Sequence, residues 1–336
     1  NEVLANRANE LLGGKRGEYR PVHPNDHVNM AQSTNDVIPT AIRLAALSRL
    51  APLLAALEGL AAAFLAKGKA FDHIMKSGRT HLQDATPIRL GQEFTAYGHT
   101  VARNRRRLER AADDLRELGI GGTAVGTGLN AEPQYPELMV KYLKQNAGLE
   151  LRAGEDRVQL MQSMGDVAAF SGALRAFAVD LNKIANDLRL LASGPRTGFA
   201  EIVLPAVQPG SSIMPGKVNP SIAEMVNQVC YQVMGNDQTV ALAAEAGQLE
   251  LNVMMPVIAH NLVFAMEILT SAVTVLTTRC VAGIEADERM CAHWLERSPA
   301  IVTALAPKIG YAEAAKLAKE SLAKNVTVRQ LVEEKG

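Results

Sequence analysis

The sequence is poor in aromatic residues: Phe, Tyr and Trp make up 4% of its 336 residues, and only one is Trp. Apolar residues nevertheless reach 48%, so most of the apolar mass is Ala, Leu, Val, Ile and Met. Strands favour aromatic and β-branched residues, whereas Ala, Leu and Met favour helices. The composition therefore predicts an all-α protein.

An excess of charge of one sign is also lacking. Lys and Arg total 35, as do Asp and Glu, which excludes the general basic field of a nucleic-acid-binding protein. The three cysteines, Cys230, Cys280 and Cys291, are odd in number and widely spaced. They fit no disulfide framework and no zinc spacing, so a reducing, cytoplasmic compartment is expected. No uncharged apolar run of about 18 residues exists, and we expect no membrane span.

Long helices are the main structural signal. Apolar residues from Leu44 to Phe64 recur at steps of three and four, which is typical of the buried seam of a long helix. Proline should kink or divide this helix at Pro52. Four further long helices are predicted, at about 87–118, 155–191, 220–245 and 249–282, the last with a bend at Pro256. Helices of this length usually bury their seams in a bundle, often across subunits, so we expect an oligomer.

Polar loops rich in Gly, Ser and Pro separate these helices, and such loops often carry the chemistry of a rigid scaffold. In the segment 210–220, two glycines and two serines surround Lys217 just before a predicted helix. Backbone N–H groups and a lysine in this setting can receive an anion. Composition alone leaves a flexible surface loop as an equal alternative.

Three shorter polar segments are each ambiguous on their own. The segment 32–36 places five small polar side chains before a long helix, more than an N-cap requires. His81 lies among hydrogen-bonding neighbours in the segment 78–84, although a lone histidine is more often structural. The segment 23–26 has the composition of a simple Asx turn.

Taken together, in this order and spacing, these segments resemble the fumarase/aspartase superfamily. Further matching stretches are Gly121–Asn130, Ala192–Arg196, Gly235–Asp237 and Glu250–Val253, so the resemblance covers nearly the whole chain. It implies three parts: residues 1–32 as the remnant of an N-terminal domain that is otherwise absent, 33–283 as the central bundle of five long helices, and 284–336 as a small, shortened C-terminal helical domain. It also implies a homotetramer with one shared bundle, in which each active site is assembled from three subunits.

The resemblance also implies roles for individual residues. Ser211 matches the general base that removes the C3 proton of a small dicarboxylate substrate, and Glu224 matches the carboxylate that pairs with the catalytic histidine, His81. Lys217 matches a catalytic group that binds the carboxylate and stabilises the intermediate, and Asn219 shares this role. The other substrate-binding positions are Ser33, Thr34, Asn35, Thr80, Gln83 and Ser212. His23, Asn25 and Asp26 match a secondary anion site of some members. No cofactor and no metal are expected.

This set of residues suits the chemistry. A proton next to a carboxylate is only weakly acidic, so the carbanion must be held as an aci-carboxylate with two negative oxygens. Fixed N–H and hydroxyl donors and Lys217 can stabilise that charge; one such donor is typically worth about 3 kcal/mol. A serine base must be brought within reach of the proton, which requires loop closure.

Two reactions compete for the assignment. Ser33-Thr34-Asn35, together with the segments 227–230 and 245–249, is typical of aspartate ammonia-lyases, which eliminate ammonia. The segments 23–27 and 215–217 and the residue Met255 are closer to class II fumarases, which eliminate water. We favour the ammonia-lyase. Argininosuccinate and adenylosuccinate lyases differ around the histidine segments. A non-catalytic structural protein on the same scaffold is disfavoured because Ser211, His81 and Lys217 are all present.

Overall fold

Helices account for most of the chain. The computed structural model describes residues 1–335, in which twelve α-helices are formed. In chain order they are α1 (Glu2–Leu11), α2 (Thr34–Ala70), α3 (Leu90–Ala111), α4 (Tyr135–Ala147), α5 (Arg157–Gln162), α6 (Gly165–Leu191), α7 (Ser221–Glu245), α8 (Met255–Arg279), α9 (Glu288–Arg297), α10 (Ala306–Ile309), α11 (Tyr311–Lys324) and α12 (Val328–Lys335). The predicted all-α class is confirmed.

The five predicted long helices correspond to α2, α3, α6, α7 and α8. Of the predicted seam on α2, Leu47, Leu50, Leu57, Leu60 and Phe64 are buried. Pro52 lies inside α2 without dividing it. The bend expected at Pro256 is wrong, because Pro256 is the second residue of α8, where a helix needs no N–H donor. The third helix begins only at Gly165, since a separate short helix, α5, precedes it.

Six short strands form three two-stranded sheets. They are β1 (Met75–Thr80), β2 (Gln83–Arg89), β3 (Glu117–Leu118), β4 (Arg152–Ala153), β5 (Ile202–Val203) and β6 (Glu285–Ala286). β1 and β2 form an antiparallel hairpin with a register shift between Ser77 and Arg79. The polar segment 78–84 is predicted as a loop between helices, and this is wrong because its backbone pairs as part of a hairpin. The hairpin also explains why α3 begins at Leu90 rather than near Pro87.

The described residues divide into two compact units. Unit 1 comprises Asn1–Leu54, Arg106–Ala176 and Gln232–Ile268. Its buried apolar residues include Leu47, Leu118 and Phe170. Within this core, the guanidinium of Arg43 is 1% exposed and donates to Asp166 Oδ2 at 2.7 Å, which satisfies the buried charge.

Unit 2 comprises Ala55–Arg105, Phe177–Tyr231 and Leu269–Gly336. Several of the chain's few aromatic rings gather here: Phe94 lies 5.2 Å from Phe71, 5.7 Å from Tyr97 and 6.2 Å from Phe64, measured between ring centroids. Their edge-to-face and tilted arrangements are favourable for aromatic packing. A smaller cluster of Val302, Ala314 and Val328 holds the C-terminal helices together.

Two helical stretches, Thr34–Ala70 and Met255–Gly283, are long and apolar enough to cross a membrane by length and composition alone. The sequence predicts no span because charged residues such as Arg43 and Glu267 interrupt both stretches. Apolar core helices of soluble bundles pass the same test, so the result does not identify a membrane span.

Candidate active site

Ser211 lies in the loop between β5 and α7, in unit 2. The backbone N–H groups of Ile213 and Met214 donate to Ser211 Oγ at 3.3 and 3.1 Å. The Ser211 N–H donates to the Lys217 carbonyl at 2.9 Å, which closes the segment on itself. Two N–H donors aimed at Oγ are an arrangement that stabilises negative charge on a hydroxyl oxygen.

The other predicted residues of this loop lie in the same turn. Lys217 Nζ donates to Asn219 Oδ1 at 2.8 Å, so the ammonium and the amide are held side by side. Ser212, Lys217 and Asn219 are all exposed. The loop therefore presents a hydroxyl, an ammonium and an amide on one surface segment.

Glu224 lies in the first turn of α7, just beyond that loop. Its carboxylate is 3.9 Å from Arg189 Nη2, and Arg189 Nη1 donates to Asn227 Oδ1 at 3.0 Å. The Asn227 amide in turn donates to Asn182 Oδ1 and Asn186 Oδ1. Sequence reasoning missed Arg189, Asn182 and Asn186, because they lie on helices and carry no local motif.

Thr80, His81 and Gln83 lie at the tip of the β1–β2 hairpin. Thr80 pairs with Gln83, so His81 and Leu82 are the two loop residues, and their φ angles are 55° and 58°. A two-residue type I′ turn requires positive φ at both positions, which Asn and Gly adopt more readily than His and Leu. Non-glycine residues held in this region often mark functional sites.

Buried ion pairs anchor the base of this hairpin. Lys76 is 1% exposed, and its ammonium lies 2.8 Å from Glu93 Oε1 and 3.1 Å from Glu201 Oε2. Arg79 Nη1 donates to Glu201 Oε1 at 2.9 Å, and its guanidinium lies 4.0 Å from the centre of the Phe199 ring. Burial raises the pKa of the Glu93 carboxyl, and the nearby Lys76 opposes that rise. A cavity of about 310 Å³ opens beside this cluster.

Ser33, Thr34 and Asn35 lie at the start of α2, in unit 1. The Ser33 hydroxyl accepts from the Asn35 N–H at 3.2 Å, while the Ser33 N–H donates to Asp36 Oδ1 at 3.0 Å. These two reciprocal bonds form a capping box, with aspartate in the usual place of glutamate. The Asn35 amide donates to the Ala124 carbonyl at 2.8 Å. Thr34 is exposed.

Asp36 is a further residue that sequence reasoning did not single out, although Ser-x-x-Asp before an apolar run is a capping signature. Its side chain is fully buried. Oδ2 accepts from the N–H groups of Gly121 and Thr123 at 3.0 and 3.1 Å. Burial raises the pKa of this carboxyl, and the N–H donors from Ser33, Thr123 and Gly121 oppose the rise.

His23, Asn25 and Asp26 lie around a single π-helical turn, Pro24–Val28, in unit 1. His23 Nδ1 accepts from the N–H groups of Asn25 and Asp26, each at 3.2 Å. A ring nitrogen that accepts carries no proton, so its 3.3 Å approach to Asp26 Oδ2 is not an ion pair. In this arrangement the His23 side chain caps the two N–H groups at the start of the turn, and the secondary anion site stays a prediction.

Each unit thus brings part of the predicted set together. In unit 2, across the residues that the structure describes, no hydrogen bond or ion pair joins the hairpin tip to the Ser211 loop, and Glu224 pairs with Arg189 rather than with His81. Among residues 1–335, no group of three or more His, Cys, Asp or Glu side chains could hold a metal ion.

Comparison with known families defines the class as an all-α lyase. The family described as Lyase matches residues 1–235, and the family described as Fumarase C C-terminus matches residues 301–336. The chain belongs to the fumarase/aspartase superfamily, as its motifs predict.

Individual relatives agree with this assignment. The chain is 49% identical, over 98% of its length and 70% of the relative's, to an aspartate ammonia-lyase of Bacillus subtilis. It is 48% identical, with the same coverage, to a class II fumarate hydratase of Bradyrhizobium diazoefficiens. The solved structure described as fumarate lyase:delta crystallin from Brucella melitensis, bound to cobalt, has a TM-score of 0.96 and 54% identity, over 99% of this chain and 73% of that one.

Proposed function

We propose that this protein is an aspartate ammonia-lyase that converts L-aspartate reversibly to fumarate and ammonia. The observation that carries the proposal is the similarity, at about 50% identity along nearly the whole chain, to relatives from different bacteria that bear this name. The presence of Ser211, Lys217 and His81 supports a catalytic rather than a structural role.

Ser211 is the proposed base. Its alkoxide takes the C3 proton, and the electron pair left on carbon moves into the neighbouring carboxylate, which becomes an aci-carboxylate. When that electron pair returns from the carboxylate to C3, the C2=C3 double bond forms and the C2–N bond breaks. The nitrogen keeps the electrons of that bond, so the ammonium group leaves as neutral ammonia. The N–H groups of Ile213 and Met214 stabilise the alkoxide, and both lie within hydrogen-bond distance of Oγ.

Lys217 and Asn219 are proposed to hold the substrate carboxylate on which charge builds up. A lysine ammonium is a compact positive charge, and its bond to the Asn219 amide fixes its direction. Ser33, Thr34, Asn35, Thr80, Gln83 and Ser212 complete the proposed binding set, with His81 and Glu224 assigned to proton handling. Thr34 is suited to orient the α-ammonium because its hydroxyl is exposed.

We also propose a soluble, cytoplasmic homotetramer whose active sites combine residues from three chains. The long helices carry exposed apolar side chains in the single chain, among them Val179 on α6, Leu242 on α7 and Phe264 on α8. Burial of such side chains against other copies would be favourable. A shared site also accounts for the exposure of His81 and Thr80 and for their lack of bonds to the Ser211 loop.

The division at 1–32, 33–283 and 284–336 is proposed as well, and the family match to 301–336 supports its last part.

A class II fumarate hydratase is the second candidate. The Bradyrhizobium diazoefficiens relative carries that name at 48% identity, and the segments 23–27 and 215–217 favour it. In that case the base and the intermediate are the same, and the C2 hydroxyl takes up a proton from the groups assigned to proton handling, His81 and Glu224, before it leaves as water.

Separate assays with L-aspartate and L-malate distinguish the two, with fumarate followed by its ultraviolet absorbance and ammonia measured independently. We expect turnover of L-aspartate with equal amounts of both products. Turnover of L-malate alone would replace the proposal with the hydratase. Ser211→Ala should remove nearly all turnover without unfolding the protein. The control is Ser48→Ala, on an exposed face of α2, which should leave turnover unchanged. Full activity of Ser211→Ala would remove Ser211 from its role.

A further inference from the structure

We infer that Asp36 is a positioning residue that locks the proposed substrate-binding start of α2 to the glycine-rich loop Gly121–Asn130, both in unit 1, as one rigid structure. The inference rests on the proposed function, because it gives Thr34 and Asn35 a substrate to bind. Asp36 itself is buried and takes no part in proton transfer.

The two oxygens of Asp36 hold different parts of the chain. Oδ1 accepts from the Ser33 N–H, at the start of α2, and Oδ2 accepts from the Gly121 and Thr123 N–H groups, more than 80 residues further along. A helix cap needs only the first of these bonds. The second oxygen therefore serves the loop rather than the helix.

The loop needs such an anchor because its backbone is strained. Gly121, Gly126 and Gly128 have positive φ, and so do two non-glycine residues, Thr123 at 56° and Asn130 at 67°. For a β-branched residue such as Thr123, this conformation is an outlier that persists only where its surroundings impose it. The bond from the Thr123 N–H to Asp36 is the contact that holds it there. No residue with a side chain fits at position 121, since a Cβ there would lie 2.5 Å from the Pro136 ring.

A second bond ties the same two segments together. Asn35, a predicted substrate-binding residue, donates its side-chain amide to the carbonyl of Ala124, next to Thr123. If the loop moved, the Asn35 amide would lose this acceptor and its fixed direction. The placement of Asn35 toward a substrate thus depends on Asp36 through the loop.

Asp36→Asn tests the inference with little change in shape. An asparagine keeps one acceptor oxygen but turns an N–H₂ group toward backbone N–H donors, so either the cap or the loop anchor is lost. We expect KM for L-aspartate to rise about tenfold or more with a smaller change in kcat, because binding residues are displaced while the Ser211 loop is unchanged. Asp36→Ala, with no acceptor, should raise KM further. The matched control is Asp287→Asn, which alters a helix-capping aspartate of α9 that accepts from the Met290 N–H.

The comparison of KM with kcat and one further measurement, amide hydrogen exchange, separate positioning from simple loss of stability. A merely structural Asp36 would reduce the fraction of folded enzyme, which lowers apparent kcat and leaves KM unchanged; that result would overturn the inference. Amide hydrogen exchange at Gly121 and Thr123 should be slow in the wild type and accelerated in Asp36→Asn, and unchanged exchange would equally overturn it. Exchange does not depend on substrate, so failure of the proposed function shows separately, as a wild type that does not turn over L-aspartate.

Discussion

Burial suppresses the ionisation of the three cysteine thiols of this protein. Burial raises the pKa of Cys230 and Cys291 to about 12 and that of Cys280 to about 11. Cys291 also contacts the Glu201 carbonyl at 3.7 Å, close to the buried ion pairs of the hairpin base. These thiols are packing groups, and the thiolate needed for reaction is scarce at neutral pH.

The thiols should therefore resist a thiol-specific reagent at pH 8 in the native protein. All three should react once the protein is unfolded in guanidinium, since the ordinary thiol pKa is about 8.5. A reagent that changes colour on reaction with thiols counts them in both states. Rapid native reaction of any one would contradict the burial seen here.

The same pKa shifts determine whether the folding stability rises or falls with pH. Between the ordinary thiol pKa and the raised values of about 11 to 12, the folded state holds protons that the unfolded state has released. The stability that these thiols contribute is therefore complete below about pH 8. It is lost progressively as the pH rises from there to the raised pKa values of about 11 to 12.

At the scale of elements, the β1–β2 hairpin is the feature that sequence reasoning missed. Its strands carry Lys, Ser, Arg, Gln and Asp rather than an alternating apolar pattern, so no period of two marks them. What holds the hairpin is tertiary: Lys76 and Arg79 meet Glu93 and Glu201, which lie elsewhere in the chain. The long helices, by contrast, were predictable because each carries its own apolar seam.

The candidate site residues also fall into two groups, those that the local sequence reveals and those that it does not. Ser211, Lys217 and Asn219 were predictable because a single loop contains them, with its glycines and its lysine. Asp36 and Arg189 were not, because Asp36 Oδ2 binds Thr123, 87 residues away, and Arg189 binds Asn227, 38 residues away. Local pattern reveals which segments carry chemistry, whereas the residues that orient those segments appear only in the folded chain.

Removal of Lys76 should weaken the hairpin as a unit. Lys76→Met leaves the fully buried Glu201 without one of its two cations, and loss of one partner of a buried pair typically costs about 3 kcal/mol or more. Urea unfolding measures the loss. Turnover should fall as well, because the hairpin carries Thr80 and His81.

Lys183→Met is the comparison for that variant. Lys183 pairs with Asp187 one helical turn away, but its side chain is 68% exposed, and such pairs contribute about 0.5 kcal/mol or less. If both variants unfold at the same urea concentration, the buried pairs of Lys76 do not anchor the hairpin.

At the scale of the whole molecule, the proposed homotetramer makes a testable claim, namely that one active site combines residues from different chains. A tetramer of 36.0 kDa chains has a mass of about 144 kDa, which light scattering would detect. Mass alone does not test a shared site, since four complete sites could occur in the same assembly. Within one chain, no hydrogen bond or ion pair among the described residues joins His81 to the Ser211 loop, and we predict that the two come from different subunits in each site.

Mixing two inactive variants tests that arrangement. Ser211→Ala and His81→Ala are each expected to lose nearly all turnover. When they are produced together, random assembly places an intact Ser211 from one subunit beside an intact His81 from another in about a quarter of the sites. Turnover should then recover to about a quarter of the wild-type value. If both residues of a site come from one chain, every site keeps one defect and no activity returns, because no exchange of subunits can repair a chain that carries its own substitution.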